Sequence, residues 1–204
     1  MKKTGLGVLA SGRGTNLQAI LDACREGRIP GEVRVVISDV RNTRALERAC
    51  SAGVPALYLD PGRFKTRLEP NAELAYADCL KQYGVELVLL AGFMRILHKE
   101  FLSEFPERIM NIHPALLPAF PGLDAQRQAL ERGVRFSGCT VHFVDESVDG
   151  GPIILQSVVP VEQNDTVETL SERILEAEHK TYCDAIKLFC EGRLKIQGRR
   201  VRIL

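Results

Sequence analysis

The segment Met110-Asn111-Ile112-His113-Pro114-Ala115-Leu116-Leu117-Pro118 holds the residue types and spacing best suited to chemistry. On an extended strand side chains repeat every second residue, so Asn111 and His113 project from one face. Pro114 keeps His113 out of helical geometry, and prolines at 114, 118 and 121 stiffen the loop that follows. An amide donor and an imidazole are thereby held side by side at a strand end. Further on, Val148-Asp149-Gly150-Gly151-Pro152 is either an ordinary Asp-Gly turn or the source of a carboxylate for His113. A carboxylate beside an imidazole favours its charged form and burial disfavours it. Where the ion pair prevails, the imidazolium can donate to an oxyanion.

Two further segments have a chemical reading. Ala10-Ser11-Gly12-Arg13-Gly14-Thr15-Asn16-Leu17 follows a strand-like run and opens a helical one. Its glycines permit a tight turn, and the first N–H groups of the helix suit a phosphate. The pattern is neither a P-loop nor a full dinucleotide fingerprint, and a plain glycine turn with Asn16 as helix N-cap explains it as well. Ala91-Gly92-Phe93-Met94-Arg95-Ile96-Leu97 leaves the most continuous apolar run. It is either core continuation or the lining of a pocket for a flat aromatic ligand, since ligands of open α/β sheets sit beyond the C-terminal strand ends.

Other chemistries find no support. There is no G-x-S-x-G elbow and no recognisable cysteine-nucleophile signature. The cysteines at 24, 50, 79, 139, 183 and 190 form no C-x-x-C pair, and the four histidines no H-E-x-x-H, so no metal is expected. What remains is a set of donors and a proton shuttle without a covalent nucleophile. That fits direct transfer of a group between two bound small molecules.

The elements that must position these residues follow from apolar periodicity. Strands are expected over 4–10, 32–38, 56–59, 87–91 and 108–113, alternating with helices over 16–26, 45–52, 71–82 and 97–105. The run at 87–91 reads as a central strand buried on both sides. A helix over 124–132 and strands at 139–144 and 153–159 follow, then a long helix over 166–190 with an Asp165/Glu168 capping box. A terminal hairpin turns around Gln197-Gly198. Successive βα units predict an α/β fold: a doubly wound, mostly parallel sheet with helices on both faces.

Length and composition agree. The chain has 204 residues, 45% hydrophobic and 26% charged, enough for one domain with a real core. Lys plus Arg is 27 against 26 for Asp plus Glu, a balance that argues against a nucleic-acid coat. No apolar stretch approaches the ~20 residues of a membrane span, and no signal-peptide pattern follows Met1-Lys2-Lys3. A cytoplasmic protein with reduced thiols is expected.

The motifs Ser11-Gly12-Arg13-Gly14-Thr15-Asn16-Leu17-Gln18-Ala19-Ile20, Leu90-Ala91-Gly92-Phe93-Met94-Arg95-Ile96-Leu97, Asn111-Ile112-His113-Pro114-Ala115-Leu116-Leu117-Pro118 and Val141-His142-Phe143-Val144 with Asp149-Gly150-Gly151-Pro152 resemble those of the folate-dependent formyltransferases. The first loop and the length are similar to the phosphoribosylglycinamide formyltransferase (glycinamide ribonucleotide transformylase) branch. The resemblance runs from residue 4 to the end. It implies one Rossmann-like formyltransferase domain over 1–204, with residues 1–105 on the ribonucleotide-phosphate side and 106–204 on the folate and catalytic side. It implies transfer of the formyl group from 10-formyltetrahydrofolate, the cosubstrate, to the amine of 5-phosphoribosylglycinamide in purine biosynthesis. Asn111, His113 and Asp149 match the catalytic trio. Gly14, Thr15, Asn16 and Glu178 match ribonucleotide contacts. Met94, Arg95, Ile96 and Leu97 match the folate pterin pocket, Arg67 matches a folate-contacting arginine, and Asn111 also faces the folate. The implied partners are small molecules, with no nucleic acid and no membrane, for a monomer or homodimer. After Pro121-Gly122 the chain reads Leu123-Asp124-Ala125-Gln126-Arg127 where some relatives carry histidine, which leaves that loop without a catalytic side chain.

In the implied mechanism the amine attacks the formyl carbon, Asn111 and His113 donate to the oxyanion, and Asp149 holds and charges His113. A proton then passes to folate N10 through His113 or water. A formyltetrahydrofolate hydrolase would use the same trio with water as acceptor and an added N-terminal module. A methionyl-tRNA formyltransferase would add a C-terminal tRNA-binding domain. A non-catalytic folate or nucleotide binder would not need the trio.

Overall fold

The computed structural model describes residues 3–204. The chain divides into two compact units, Met1–Asn111 and Ile112–Leu204. In the first, β1 (Thr4–Leu9), β2 (Gly31–Ser38), β3 (Ala56–Tyr58), β4 (Leu87–Leu90) and the start of β5 (Ile109–His113), whose last two residues open the second unit, pair in the order β3-β2-β1-β4-β5. Every pairing is parallel. The helices α1 (Thr15–Arg25), α2 (Arg44–Ser51) and α3 (Pro70–Gln82) connect them. The β4 sequence Leu-Val-Leu-Leu is buried at every residue, as a central parallel strand between helical layers requires. The α/β fold with a mostly parallel open sheet is the one the periodicity predicts.

The second unit contains α5 (Ala125–Glu131), β6 (Phe136–Phe143), β7 (Ile153–Pro160), α6 (Val167–Cys190), β8 (Leu194–Gln197) and β9 (Arg200–Ile203). β6 and β7 are antiparallel, and so are β8 and β9, which form the expected terminal hairpin. Leu170, Ile174, Tyr182 and Ile186 bury one stripe of α6, the apolar face of an amphipathic helix.

Four local expectations need correction. The helix expected over 97–105 is only α4 (Lys99–Leu102). The preceding segment is held extended from elsewhere: Ile96 N–H donates to the Thr66 carbonyl at 2.9 Å, and Glu73 accepts from the N–H groups of His98 and Phe101. Asn16 is not an N-cap; α1 starts at Thr15 behind Gly14, with no side-chain cap. The capping box of α6 is Thr166 with Thr169 rather than Asp165 with Glu168, because Asp165 is committed to a two-bond pair with Arg173 at 2.8 Å each. β6 begins at Phe136, not at 139, since Gly138 is itself in an extended conformation (φ 157°).

Candidate active site

Asn111 and His113 are two residues apart on β5, so strand alternation points both to one side. Asn111 is half-buried and closes the first unit; His113 is buried in the second. Within the second unit His113 meets Asp149. Its Nδ1 lies 3.3 Å from Asp149 Oδ2, and both side chains are largely removed from solvent. The other ring nitrogen, Nε2, donates to the Phe120 carbonyl at 2.8 Å. Both nitrogens therefore face acceptors, and only a ring carrying both protons satisfies both.

Asp149 lies between β6 and β7 with φ +51°, a left-handed conformation that Asp and Asn tolerate better than other non-glycine residues. Oδ2 also accepts the Gly122 N–H at 2.8 Å. Oδ1 faces His142 Nε2 at 3.7 Å. Burial pushes the Asp149 carboxyl up, but the hydrogen bonds from His142 and Gly122 and the charges of His113 and His142 outweigh it, so the carboxyl lies below its ordinary value. It stays an anion beside the imidazole across the neutral range.

His142 belongs to this cluster although no role was read for it from the sequence. It is buried, and its Nδ1 donates to the Phe143 carbonyl at 2.9 Å. One carboxylate thus sits between two imidazoles. The available signal was period two along the second half of β6: Thr140 and His142 are polar side chains on alternate positions between Cys139, Val141 and Phe143. Thr140 also positions the proline-rich loop. Its hydroxyl donates to the Ala115 carbonyl at 2.7 Å and accepts from Leu117 N–H at 3.0 Å, while Gln156 Nε2 donates to the Leu117 carbonyl at 2.9 Å. The loop beyond engages both members of the pair through its backbone at Phe120 and Gly122.

In the first unit, Gly14 adopts φ +67°, and a Cβ there would lie 2.7 Å from Ala45 Cα. Only glycine fits this turn without displacement. Ala45 N–H donates to the Gly12 carbonyl at 3.1 Å and Arg48 Nε donates to the Arg13 carbonyl at 3.0 Å, so α2 buttresses the loop. With no side-chain cap on α1, its positive end at Thr15 and Asn16 is turned to this loop, an arrangement suited to an anion.

Met94 and Ile96 are exposed at the end of β4 and Leu97 is buried. Met94 N–H donates to Ser11 Oγ at 2.9 Å, tying this segment to the first loop. Ile96 bridges in parallel to Arg67, so the predicted folate-contacting arginine and the predicted pterin segment are neighbours. Arg67 lies over the Phe64 ring at 4.1 Å and lines a groove of about 760 Å³ with Phe64, Glu69 and His98. The Arg95 guanidinium is engaged by Asp39 and the Phe64 carbonyl. Another groove, of about 560 Å³ around Gly31, Arg34, Val54 and Pro55, opens where β2 and β3 begin, the opposite strand end from that used by ligands of open α/β sheets.

Glu178 is a buried residue of α6 in the second unit, near enough to Cys139 to help raise its thiol to about 11, an effect led by burial. Among the described residues no group of His, Cys, Asp and Glu is arranged to hold a metal ion, and no helix is long and apolar enough to cross a membrane.

Residues 6–186 match the family described as Formyl transferase. The chain is 45% identical over 189 residues to phosphoribosylglycinamide formyltransferase of Escherichia coli (strain K12), covering 93% of this chain and 88% of that one. It spans only 19% of the human trifunctional purine biosynthetic protein adenosine-3, to which it is 44% identical over 96% of its own length. The crystal structure of glycinamide ribonucleotide transformylase 1 from Symbiobacterium toebii superimposes with a TM-score of 0.95 at 61% identity, covering 99% of this chain and 94% of that one. A formyltetrahydrofolate deformylase from Pseudomonas syringae pv. tomato shares the fold at 25% identity and TM-score 0.91, this chain covering 66% of it. With its Asn-x-His strand and its His113–Asp149 pair, the chain belongs to the formyl transferase family.

Proposed function

We infer that this chain transfers the formyl group of 10-formyltetrahydrofolate to the amine of 5-phosphoribosylglycinamide, a step of purine biosynthesis. The observation that carries the reading is the His113–Asp149 pair at 3.3 Å, with Asn111 two residues upstream on the same strand. The attacking amine and the formyl carbon form a tetrahedral intermediate whose oxygen becomes an anion. Asn111 donates its amide N–H to that oxygen. His113 donates through Nε2, the nitrogen now bonded to the Phe120 carbonyl, so the formyl oxygen takes over the hydrogen bond that this carbonyl holds. Asp149, kept anionic by its neighbours, fixes Nδ1 and balances the imidazolium. A proton then leaves the attacking nitrogen for folate N10, through His113 or a water, and the C–N10 bond breaks. Two aligned donors stabilise charge that develops only in the transition state.

The remaining residues take binding roles. Gly14, Thr15 and Asn16 hold the ribonucleotide phosphate at the positive end of α1, and Glu178 contacts the same substrate. Arg67 and residues 94–97 hold the folate, with Asn111 facing it from β5. The partners are these two small molecules.

The test is release of tetrahydrofolate by the purified protein with and without 5-phosphoribosylglycinamide. Turnover that requires this acceptor supports the transferase. Equal turnover without it supports a deformylase, and no turnover under either condition contradicts an enzyme of this class.

A further inference from the structure

We propose that Asp39 is a positioning residue for folate: through Arg95 it locks the 64–67 loop against the 94–97 segment and so fixes the placement of the two segments read as holding folate. The inference rests on the folate reading of those segments. Asp39 directly follows β2 at the C-terminal end of the parallel sheet, with its side chain only 2% exposed. Its Oδ2 accepts from Arg95 Nε at 2.7 Å. Arg95 then turns Nη1 to the Phe64 carbonyl rather than to the second carboxylate oxygen. Asp39 Oδ1 is left buried with no hydrogen-bond partner among the described residues.

That geometry is informative. A guanidinium and a carboxylate pair most strongly through two parallel bonds. Here the fork is split, with one arm on the acid and one on a loop carbonyl, at the expense of an orphaned buried oxygen. A buried ion pair is also a poor means of stabilising a fold compared with apolar residues of similar volume. What the split fork achieves is a bridge between the strand end and a loop that has no regular secondary structure between β3 and α3 apart from its one bridge at Arg67. Two more ties complete the clamp: Ile96 N–H to the Thr66 carbonyl at 2.9 Å, and Met94 N–H to Ser11 Oγ at 2.9 Å. The loop presents Phe64 and, stacked on it at 4.1 Å, Arg67. If Arg95 lets go of the Phe64 carbonyl, the Phe64–Arg67 stack loses its anchor while the catalytic pair in the other unit is untouched.

The experiment compares Asp39→Asn, Arg95→Lys and the control Ile96→Asp, in the segment read as holding folate, with the unmodified protein. Steady-state KM is measured for 10-formyltetrahydrofolate and for 5-phosphoribosylglycinamide, together with kcat. Asp39→Asn keeps the shape and an acceptor but removes the charge. Arg95→Lys keeps the ion pair but cannot also reach the loop carbonyl. Both should raise KM for 10-formyltetrahydrofolate by about tenfold, the effect expected for one charge-assisted hydrogen bond, with kcat and the other KM within about twofold. KM is independent of the fraction of protein folded, so general destabilisation does not mimic this result. Should Asp39→Asn fail to fold, Asp39→Ser, which also removes the charge that Arg95 Nε now meets, decides in its place. An unchanged folate KM in the folded variants, or a loss confined to kcat, overturns the proposal. Ile96 is exposed, so Ile96→Asp spares the fold. If it too leaves folate KM unchanged, the folate reading of this segment fails, an outcome distinct from failure of the clamp alone.

Discussion

Replacing Asp149 by Asn tests the site most directly. Residue 149 has φ +51°, which Asn tolerates as Asp does, so the backbone strain is the same. The Asn carbonyl oxygen can accept the Gly122 N–H that Oδ2 now accepts at 2.8 Å. Its amide nitrogen then takes the place of Oδ1, which faces His142 Nε2 at 3.7 Å. The substitution therefore keeps the Gly122 hydrogen bond and the backbone conformation and removes the charge. Two unit charges at the observed 3.3 Å attract by about 5 kcal/mol at an effective dielectric constant of about 20, and by about 1 kcal/mol in bulk water. His113 and Asp149 are both largely buried, which places them nearer the first limit, less the cost of desolvation. About 3 to 4 kcal/mol of transition-state stabilisation is then at stake, about 100- to 1000-fold in kcat. The assay is acceptor-dependent tetrahydrofolate release at saturating substrates, with thermal denaturation to show that the variant is folded. A folded Asp149→Asn protein within threefold of the parent rate would show that the charge at 149 does not serve the reaction.

His142→Leu removes the imidazole opposite Asp149 Oδ1 at 3.7 Å but leaves the His113 contact. It should lower kcat about tenfold, less than Asp149→Asn, and a rate equal to the parent's would remove His142 from the site. Gly14→Ala forces a Cβ to within 2.7 Å of Ala45 Cα at φ +67°. It should destabilise the protein by about 1–3 kcal/mol and raise KM for 5-phosphoribosylglycinamide at least about tenfold, with little change in folate KM; an unaltered ribonucleotide KM would contradict the phosphate-loop assignment. The Asp149 carboxyl lies below its ordinary value in the folded protein. Its contribution to stability is therefore complete above the ordinary carboxylate range and is lost as pH falls through the lowered folded value. The Tm difference between the parent and Asp149→Asn should shrink as a pH series is carried down through that window, and a difference that widens would reverse the sign of the argument.

The parts legible in the sequence are those whose cause is local. Buried parallel strands are short apolar runs, and β4 announces itself because all four of its residues are buried. Asn111 and His113 were found because strand alternation alone puts them on one side, and Asp149 because its Asp-Gly-Gly-Pro setting is distinctive within the family resemblance. The failures share the opposite property. The helix expected over 97–105 gave way to Glu73, a buried acid 25 residues before His98 that captures two backbone N–H groups and holds the chain entering α4. Local periodicity carries no trace of such a partner. The Asp39–Arg95 pair joins positions 56 apart, and neither residue type at either place points to the other.

The loop at 120–122 is the most instructive case. Phe120, Pro121 and Gly122 carry no side chain that suggests acid–base chemistry, yet Phe120 touches His113 and Gly122 touches Asp149. They do so with a carbonyl and an N–H, groups that nearly every residue possesses, so residue type cannot reveal the contact. What permits it is backbone conformation: φ is +56° at Phe120 and +80° at Gly122. Such values turn successive peptide groups toward one point, as in other loops that surround a charged centre with main-chain dipoles. Positive φ at glycine is routine and leaves Gly122 legible in retrospect. At Phe120 it is uncommon and persists only where the surroundings enforce it. Here the Phe120 carbonyl accepts from His113 Nε2 at 2.8 Å, so the His113–Asp149 pair is incomplete when side chains are taken as the only carriers of function.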